Sequence, residues 1–465
     1  HSLTVNVKGG QDLKGQTINL YKLFDVTESK SGETTNYAYT VNNTYKAALA
    51  SVLNISETSK DEEFAKAVAD KTATIQQFAN TFTTKALEGK LAATATSNKI
   101  LDSNTAYTFS DLSAGYYLVY VTGGKEIQSS LVTVDASTNT VNLKTEAPSI
   151  NKTADKATAE IGQIVTYTVT GVIPDTTGYD SYVYKIHDEL SKGLDFVNDT
   201  NGTACTDNKV AVKVAFTDGT DASTAPTEAA LDSKNNKIMS LDLSAWVKAN
   251  QTNKGKEFTV TYYAKVNKNA EVTNNNKASL EYGNNPSDTT TTTPSEAKTN
   301  TYPLDINKIK KGSEEKLAGA KFRLYSSEAD AKANDESKAI KVSPVVAGSY
   351  VVDPTSSTTE FESVNDITGA GYNLRVKGLA EGTYYLVETQ APEGFNKLTD
   401  PIKVTITKDG DTNWTVKKNE KAEDDKIIDV ENSTGSLLPS TGGRGAIAFA
   451  VIAALLVFGV AVSFI

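Results

Sequence analysis

The segment Leu379-Ala-Glu-Gly-Thr-Tyr-Tyr-Leu-Val387 has a close counterpart earlier in the chain, Leu112-Ser-Ala-Gly-Tyr-Tyr-Leu-Val119. A second pair of similar segments precedes them, Leu13-Lys-Gly-Gln-Thr-Ile-Asn-Leu-Tyr21 and Leu317-Ala-Gly-Ala-Lys-Phe-Arg-Leu-Tyr325. Segments that recur in the same order indicate a repeated structural unit. We therefore predict that the beginning and the end of the chain share one fold. The middle, which lacks both segments, is expected to have a different one.

Short runs of alternating apolar and polar residues occur throughout the chain and predict β-strands. Clusters of Asn, Asp, Gly and Ser separate these runs, as turns do in antiparallel sheets. The pattern favours a mainly β protein of tandem immunoglobulin-like sandwiches. The clearest runs are Ile164–Val172, Val210–Phe216, Phe258–Val266, Tyr384–Thr389 and Ile402–Thr407.

Residues 45–90 break this pattern and predict a helical insertion in the first domain. Ser59 and Glu62 are spaced as in a capping box, which starts a helix, and Gly89 is placed to end one. Apolar residues in this region recur at helical spacing and predict one buried face; they are Ile75, Phe78, Ala79, Phe82 and Ala86. We expect the helices to cover an open face of a small sheet.

The composition excludes several classes of function. The chain has 465 residues, enough for roughly three domains. Its 47 basic and 57 acidic side chains give a net charge of −10, which disfavours nucleic-acid binding because that binding depends on neutralising phosphates. A single cysteine, Cys205, and two histidines leave no basis for a disulfide framework, a cysteine-rich metal site or a histidine-dependent active site. We expect no cofactor, no bound metal and no enzyme activity on other molecules.

The chain ends in an uncharged run of 20 residues, Ala446–Ile465. As a helix this run would be about 30 Å long, which matches the hydrocarbon core of a bilayer. A polar, β-rich chain offers no core that could bury a helix that is apolar all round, so we predict a C-terminal transmembrane helix. Residue 1 is His rather than Met, which indicates a processed chain.

Directly before this run stands Leu438-Pro439-Ser440-Thr441-Gly442. The segment resembles the LPxTG sorting signal of Gram-positive surface proteins, which a separate enzyme, sortase, cleaves between the threonine and the glycine. The resemblance implies cleavage after Thr441 and transfer of its carbonyl to an amine, with the protein in the membrane only before sorting. Pro439 favours an extended segment that an enzyme groove can bind.

The segment Tyr384-Tyr-Leu-Val-Glu388-Thr-Gln-Ala-Pro-Glu-Gly-Phe395 resembles the E-box of sortase-assembled pilins. That motif contains the glutamate of their collagen-adhesin (Cna) B-type domains. In this family, a strand lysine and a late asparagine condense into an isopeptide bond beside the acid. Lys308 and Asn432 match the lysine and asparagine positions. The resemblance therefore implies a Lys308–Asn432 bond with Glu388 as the autocatalytic acid.

The middle of the chain resembles the Cna A-type domain of the same pilins. Ile150-Asn-Lys152 resembles its opening segment, and Asn276-Lys-Ala-Ser-Leu-Glu-Tyr282 resembles its closing strand. The resemblance implies a Lys152–Asn276 bond with Asp188 as the acid, and Asn274 and Asn275 stay open as alternatives to Asn276. The two implied bonds span equal lengths of chain, 276 − 152 = 124 and 432 − 308 = 124.

Such a bond depends on burial of the reacting groups. Burial lowers the pKa of a lysine, because it disfavours the ammonium, and raises the pKa of a carboxyl group. A buried Lys–acid pair can therefore hold a neutral amine and a neutral acid. The acid polarises the asparagine carboxamide, the amine attacks its carbon, and ammonia leaves.

The first domain lacks these groups. By the repeat alignment, Tyr120 occupies the position of Glu388 and Val7 approximately that of Lys308, so we expect no isopeptide bond there. Members of the pilin family often carry the acceptor lysine for polymerisation near the end of the first domain, within Tyr-Pro-Lys. That motif is absent here, and Lys144 lies at the corresponding place.

The resemblance to a sortase-assembled backbone pilin implies a structural fimbrial subunit at the cell surface. Its partners would be neighbouring subunits, sortase and the peptidoglycan of the wall; the sequence identifies no host ligand. A monomeric wall-anchored adhesin and a minor basal or tip pilin stay open as alternatives. We expect a junction between the second and third domains at 284–303, with the run Thr289–Thr293 as a linker or edge loop. The expected divisions are a Cna B-like domain at 1–145, a Cna A-like domain at 146–300, a Cna B-type domain at 301–437, and the sorting signal with its membrane span at 438–465.

Overall fold

The computed structural model contains three groups of strands, each arranged as two sheets with an apolar core. The chain is thus mainly β, as predicted from the alternating runs. The structure describes residues 1–7, 12–122, 128–136, 139–143, 148–176, 179–284, 286–287 and 289–435.

The first sandwich combines two sheets with three helices. In the smaller sheet, β1 pairs with β5 on one side and with β8 on the other; the larger sheet has the order β3-β2-β6-β7, with β4 also paired to β2. Its elements are β1 (Leu3–Asn6), β2 (Thr17–Ser31), β3 (Thr34–Val41), α1 (Lys46–Leu53), α2 (Asp61–Ala69), α3 (Ile75–Glu88), β4 (Ala95–Lys99), β5 (Ala106–Phe109), β6 (Gly115–Thr122), β7 (Gln128–Val134) and β8 (Asn139–Asn142).

The middle sandwich has one sheet of order β12-β17-β10-β9, with β14 on β17, and one of order β13-β15-β16-β11-β18-β19, with β20 on β18. Its elements are β9 (Asn151–Ala154), β10 (Ile164–Val172), β11 (Val183–Leu190), β12 (Leu194–Val197), β13 (Lys209–Ala211), β14 (Lys213–Phe216), β15 (Glu228–Leu231), β16 (Ile238–Asp242), α4 (Ser244–Ala249), β17 (Glu257–Val266), β18 (Thr273–Gly283), β19 (Thr290–Thr291) and β20 (Ser295–Asn300).

The third sandwich has sheets of order β23-β24-β26-β21-β31 and β25-β22-β27-β28-β29-β30. Its elements are β21 (Tyr302–Lys310), β22 (Lys321–Tyr325), α5 (Glu328–Ala333), β23 (Val342–Val346), β24 (Ser349–Val352), β25 (Phe361–Glu362), β26 (Leu374–Leu379), β27 (Gly382–Gln390), β28 (Ile402–Asp409), β29 (Asn413–Lys418), β30 (Lys421–Glu423) and β31 (Ile427–Asn432).

The helices of the first sandwich lie where the apolar spacing predicts them. Helix α3 buries Phe78, Ala79, Phe82 and Ala86, and these side chains join a core cluster with Leu118 and Tyr120 of strand β6. The predicted capping box is wrong by one residue. Lys60, not Ser59, precedes α2, and its main-chain N–H donates to Glu63 Oε1 at 3.2 Å.

The first and third sandwiches share their topology, as the sequence repeat predicts. In both, the first strand pairs in parallel with the last, β1 with β8 and β21 with β31. In both, a tyrosine hydroxyl donates at 2.7 Å to the main-chain carbonyl four residues earlier. The two tyrosines are Tyr117 and Tyr384. These two tyrosines are therefore equivalent positions.

Half of the expected junction at 284–303 is strand. Residues 290–291 and 295–300 pair with β18, and one residue separates β20 from β21. The prediction of a linker or edge loop is wrong for Thr290–Thr291, because threonine is β-branched and suits an edge strand as well as a loop.

The chain segment that connects the middle sandwich to the third is buried. Asn300 and Tyr302 are fully buried and Thr301 is 3% exposed. The main-chain carbonyl of Asp411, in the β28–β29 hairpin, accepts hydrogen bonds from Asn300 Nδ2 at 2.8 Å and from Thr273 Oγ1 at 2.6 Å. The two sandwiches are thus joined by side-chain contacts as well as by the chain itself.

Within the part of the chain that the structure describes, no helix has the length and apolar character of a membrane span. The run Ala446–Ile465, for which we predict such a helix, lies outside the described residues.

Candidate functional site

The middle sandwich brings Lys152, Asp188 and Asn276 together in its core. Lys152 comes from the edge strand β9 of one sheet. Asp188 and Asn276 come from β11 and β18, which are neighbours in the facing sheet. All three residues are at most 4% exposed. Their contacts therefore cross from one sheet to the other.

A tyrosine completes the contacts of this triad. Lys152 Nζ donates to Asp188 Oδ2 at 2.8 Å and also to the hydroxyl oxygen of Tyr262. The Tyr262 hydroxyl in turn donates to Asp188 Oδ2. Lys152 Nζ lies 4.3 Å from the ring centroids of both Tyr167 and Tyr262, so the amine is enclosed by aromatic rings.

Burial favours the neutral form of the Lys152–Asp188 pair, in which the lysine is an amine and the aspartate a carboxylic acid. It lowers the pKa of Lys152 to about 8, against the opposing charge of Asp188. It also raises the pKa of Asp188, against the charge of Lys152 and the hydrogen bonds to the carboxylate. The lysine is therefore closer to a free amine at neutral pH than an exposed lysine would be.

The three candidate asparagines of the middle sandwich differ in their contacts. Asn274 is held by the main chain: its Oδ1 accepts from Glu271 N at 2.9 Å, and its Nδ2 donates to Glu271 O and Thr299 O. Asn275 lies on the opposite face of β18 by strand alternation. Asn276 is fully buried, and neither polar atom of its carboxamide is held by the main chain of the described residues. Its side chain instead interacts with the Asp188 carboxylate, whose pKa it lowers. Of the three asparagines, Asn276 is therefore the one beside the acid.

The third sandwich brings Lys308, Glu388 and Asn432 together in a different way. Lys308 and Asn432 lie on the parallel neighbours β21 and β31, where Lys308 stands opposite Val430. Glu388 projects from β27 of the facing sheet. Lys308 is fully buried, and the other two are at most 4% exposed.

Main-chain groups supply part of this second triad's contacts. Lys308 Nζ lies 3.5 Å from Glu388 Oε2 and donates to Val430 O at 3.1 Å. Glu388 Oε1 accepts from Asn432 Nδ2 and from Leu398 N, each at 2.9 Å. Burial lowers the pKa of Lys308 to about 8, against the charge of Glu388. The acid thus contacts both the amine and the carboxamide.

Asn373, which the sequence analysis does not identify, fixes the main chain at Lys308. Its Oδ1 accepts from Lys308 N at 2.7 Å, and its Nδ2 donates to Lys308 O at 3.2 Å. The same Nδ2 also donates to Leu317 O and Val364 O. Asn373 is fully buried, so it holds the lysine-bearing strand from inside the core.

The first sandwich has no such triad at the equivalent positions. The repeat alignment is wrong by one residue. Four residues after the equivalent tyrosines at 117 and 384 stand Val121 and Glu388, so Val121, not Tyr120, occupies the acid position. Tyr120 points to the opposite face, towards the helices. Val7 lies approximately at the lysine position, so these two described positions hold neither an acid nor a nucleophile.

Two further predicted sites lie outside the described residues. They are Lys144, the expected acceptor of the next subunit, and the sorting signal Leu438–Gly442.

Fold and site together define a class of domain: a β-sandwich with a lysine, an acid and an asparagine buried in one cluster. Burial supplies a partly neutral amine, and the acid can polarise the carboxamide beside it. The arrangement is suited to amide exchange within the protein, because nucleophile, acid and acyl group are already in place.

Comparison with known proteins identifies relatives of this chain. Residues 303–421 match the SpaA prealbumin-like fold domain, which agrees with the resemblance that the sequence shows in this region. A fimbrial subunit type 1 from Actinomyces viscosus is 31% identical over 157 residues, or 32% of this chain. The chain spans 28% of that relative's length.

Two solved pilin structures align with nearly the whole chain. The major pilin SpaA of Corynebacterium diphtheriae has 17% identity and a TM-score of 0.46, over 93% of this chain and all of the other. The T6 backbone pilin of Streptococcus pyogenes has 17% identity and a TM-score of 0.44, over 94% of this chain and 98% of the other.

Proposed function

We propose that this chain is the structural subunit of a covalently polymerised fimbria on the surface of a Gram-positive bacterium. We further propose that its middle and third sandwiches are each closed by an internal isopeptide bond. The observation that carries the proposal is the pair of buried clusters, each with a lysine from the start of a sandwich and an asparagine from its end. The match of residues 303–421 to a SpaA domain supports it.

In each sandwich, the neutral lysine amine attacks Cγ of the asparagine. An Nζ–Cγ bond forms, the Cγ–Nδ2 bond breaks, and its electron pair leaves with the nitrogen as ammonia. The lysine loses one proton and the leaving nitrogen gains one, so the acid returns to its starting state. The bonds are Lys152–Asn276 beside Asp188 and Lys308–Asn432 beside Glu388. The reaction occurs once per domain, on the protein's own side chains.

Polymerisation joins one subunit to the next through the sorting signal. Sortase cleaves between Thr441 and Gly442, and the Thr441 carbonyl is passed to Lys144 of the neighbouring subunit. The last subunit is passed to the peptidoglycan of the wall. The domains of this proposal are 1–145, 146–300 and 301–437, followed by the sorting segment 438–465.

This arrangement directs tension through the linked sandwiches. A pull between residues 144 and 441 crosses both isopeptide bonds and bypasses residues 1–143. A covalent link carries the load that strand hydrogen bonds, worth about 1 kcal/mol each, would otherwise carry. Single-molecule pulling between these positions should therefore show no large unfolding extension.

The mass of the chain tests the internal chemistry. Residues 1–437 should weigh less than the sequence requires by two ammonia masses, with cross-linked peptides at the two predicted pairs. A deficit of one would leave one sandwich unlinked. No deficit would refute the bonds and leave the chain as a candidate wall-anchored adhesin without them.

A reconstituted sortase reaction tests the polymerisation site. Lys144→Arg should abolish the high-mass ladder on a denaturing gel, because arginine is not a nucleophile at neutral pH. Lys277→Arg, at a lysine with a half-exposed side chain in the middle sandwich, is the matched control and should leave the ladder intact. A ladder that survives Lys144→Arg would assign the acceptor to another lysine. The absence of any ladder from the unchanged chain would favour a monomeric adhesin.

A further inference from the structure

We propose that Tyr262 is a catalytic residue of the reaction in the middle sandwich, where it carries a proton between Lys152 and Asp188 as the bond to Asn276 forms. This inference rests on the isopeptide chemistry proposed above and adds a residue that the resemblance to pilins does not supply. It also distinguishes the middle sandwich from the third.

The position of the Tyr262 hydroxyl carries the inference. Its oxygen accepts a hydrogen bond from Lys152 Nζ, and its proton is donated to Asp188 Oδ2. The hydroxyl therefore connects the nucleophile to the acid. The other carboxylate oxygen, Asp188 Oδ1, is buried without a hydrogen-bond partner among the described residues. It is available for the carboxamide of Asn276, whose side chain interacts with Asp188.

After the amine has attacked, its surplus proton must reach the leaving nitrogen. Lys152 Nζ donates both directly to Asp188 Oδ2 and to the Tyr262 hydroxyl, and of these two routes the hydroxyl carries the transfer. The nitrogen of the adduct then has one proton too many, and the leaving nitrogen has one too few. Tyr262 takes the surplus proton from Nζ while its own proton passes to Asp188, and Asp188 delivers a proton to Asn276 Nδ2. The Cγ–Nδ2 bond then breaks and ammonia leaves, with Tyr262 and Asp188 restored.

The surroundings of Tyr262 keep its hydroxyl in the form that this role needs. Burial and the neighbouring charge of Asp188 raise its pKa well above the ordinary value for tyrosine. The hydroxyl therefore stays protonated at neutral pH. A neutral hydroxyl can accept and donate at once, which a phenolate cannot.

The chain provides two matched references for a test. Tyr184, on β11 of the same sandwich, is as buried as Tyr262, and its hydroxyl has no hydrogen-bond partner among the described residues. Its ring packs against Phe258, so Tyr184→Phe removes a buried hydroxyl from the same core without changing the groups around Lys152. The second reference is the third sandwich, where Lys308 Nζ donates to the Val430 carbonyl, so its bond forms independently of Tyr262.

The experiment follows the two bonds separately in the full-length chain. The wild type, Tyr262→Phe and Tyr184→Phe are synthesised in vitro. Synthesis is then stopped, and samples are quenched in denaturant at increasing times. Peptide mapping then measures the linked fraction at each pair. In Tyr262→Phe, formation of the Lys152–Asn276 bond should be slower by about 100-fold or more, as expected for loss of a proton-transferring group. Tyr184→Phe should match the wild type, and all three should form the Lys308–Asn432 bond at one rate.

Each other outcome has a distinct meaning. Equal rates in wild type and Tyr262→Phe would overturn the role of Tyr262, and so would equal slowing by both substitutions, because packing would then explain the effect. If the wild type never forms the Lys152–Asn276 bond, the proposed function fails for this sandwich, whatever Tyr262 does. Should Tyr262→Phe fail to fold, site-specific 3-fluorotyrosine at position 262 keeps the hydroxyl but makes it more acidic. The pH profile of the middle bond alone should then shift, and an unchanged profile would also overturn the proposal.

Discussion

The two buried triads contain the same kinds of residue and span the same length of chain, yet they connect different parts of a sandwich. In the middle sandwich, Lys152 and Asn276 lie on facing sheets. In the third, Lys308 and Asn432 lie on adjacent parallel strands of one sheet. The common feature is therefore the buried cluster of amine, acid and carboxamide, and not the strand arrangement that produces it.

The two sites also differ in what holds the lysine. A side-chain hydroxyl, that of Tyr262, contacts the Lys152 amine. In the third sandwich, the main-chain carbonyl of Val430 contacts the Lys308 amine, and Asn373 fixes the lysine's own main chain. This difference predicts that substitutions at one site leave the chemistry of the other unchanged.

Removal of the asparagines should have the largest effect. Asn276→Ala and Asn432→Ala should each eliminate one ammonia loss and lower the free energy of unfolding of that sandwich by about 5 kcal/mol. The estimate follows from cross-link entropy for a loop of roughly 100 residues. Because the two loops are equal in length, the two losses should be similar. Intact mass and denaturant unfolding measure both quantities.

Asn275→Ala is the control for this comparison, since Asn275 faces away from Asn276 on the same strand. It should keep both ammonia losses. An unchanged mass in Asn276→Ala, or a lost ammonia in Asn275→Ala, would move the link to a different asparagine.

The pH dependence of stability should appear only when the links are absent. In Asn276→Ala and Asn432→Ala, the free lysine has a folded pKa of about 8, against 10.5 for an ordinary lysine. Between these values the unfolded chain binds more protons, so the free energy of unfolding should rise with pH. The gain should reach about 3 kcal/mol, at about 1.4 kcal/mol per pKa unit. It is present in full above pH 10.5 and is lost as the pH falls through 8.

Asp188 adds a second pH dependence to the middle sandwich at lower pH. Burial raises the pKa of Asp188, so the folded middle sandwich binds more protons there, and its stability in Asn276→Ala should fall as the pH rises above 3.8. Denaturant titrations from pH 4 to 11 measure both effects. A linked wild type with the same rise between pH 8 and 10.5 would contradict the account, since an amide nitrogen does not titrate in that range.

Substitution of Asn373 should have the smallest effect of the three. Asn373→Ala leaves buried main-chain groups around Lys308 without partners and should cost about 2 kcal/mol in the free energy of unfolding. It should also slow the Lys308–Asn432 link without affecting the Lys152–Asn276 link. Asn307→Ala, which removes an exposed hydrogen bond to Asp429 on the same pair of strands, is the control and should change both quantities little.

The lysines and acids of both clusters could be selected from the sequence because the segments that contain them resemble motifs of the pilin family. Strand alternation places every second residue on one face, which is why Tyr262, in register with the apolar residues of Phe258–Val266, could also have been predicted to point inward. Asn373 could not, because its bonds are to main-chain atoms and leave no pattern in the side chains. The structure brings each predicted lysine and acid into contact, whereas the bonds themselves remain predictions.

The errors of the sequence analysis were small shifts along the chain, but such shifts change the side of the sheet on which a side chain lies. Tyr120 and Val121 are adjacent, and adjacent strand residues point to opposite sides of a sheet. Val121 therefore lies in the core between the sheets, whereas Tyr120 lies on the side that the helices cover. Part of the segment 284–303, where we expected a linker or edge loop, forms strands, because a threonine run is compatible with both a loop and a strand. Neither ambiguity can be resolved without knowing which strand lies next to which.

The buried junction between the middle and third sandwiches determines where the proposed fibre can bend and where a protease can cut. A protease needs several residues of extended, accessible chain, and Asn300–Tyr302 offers none. A hinge needs a segment whose torsions can change without breaking contacts, yet here the Asp411 carbonyl holds both Thr273 and Asn300. The two sandwiches should therefore survive limited digestion as one resistant fragment and move as a single stiff segment of the fibre.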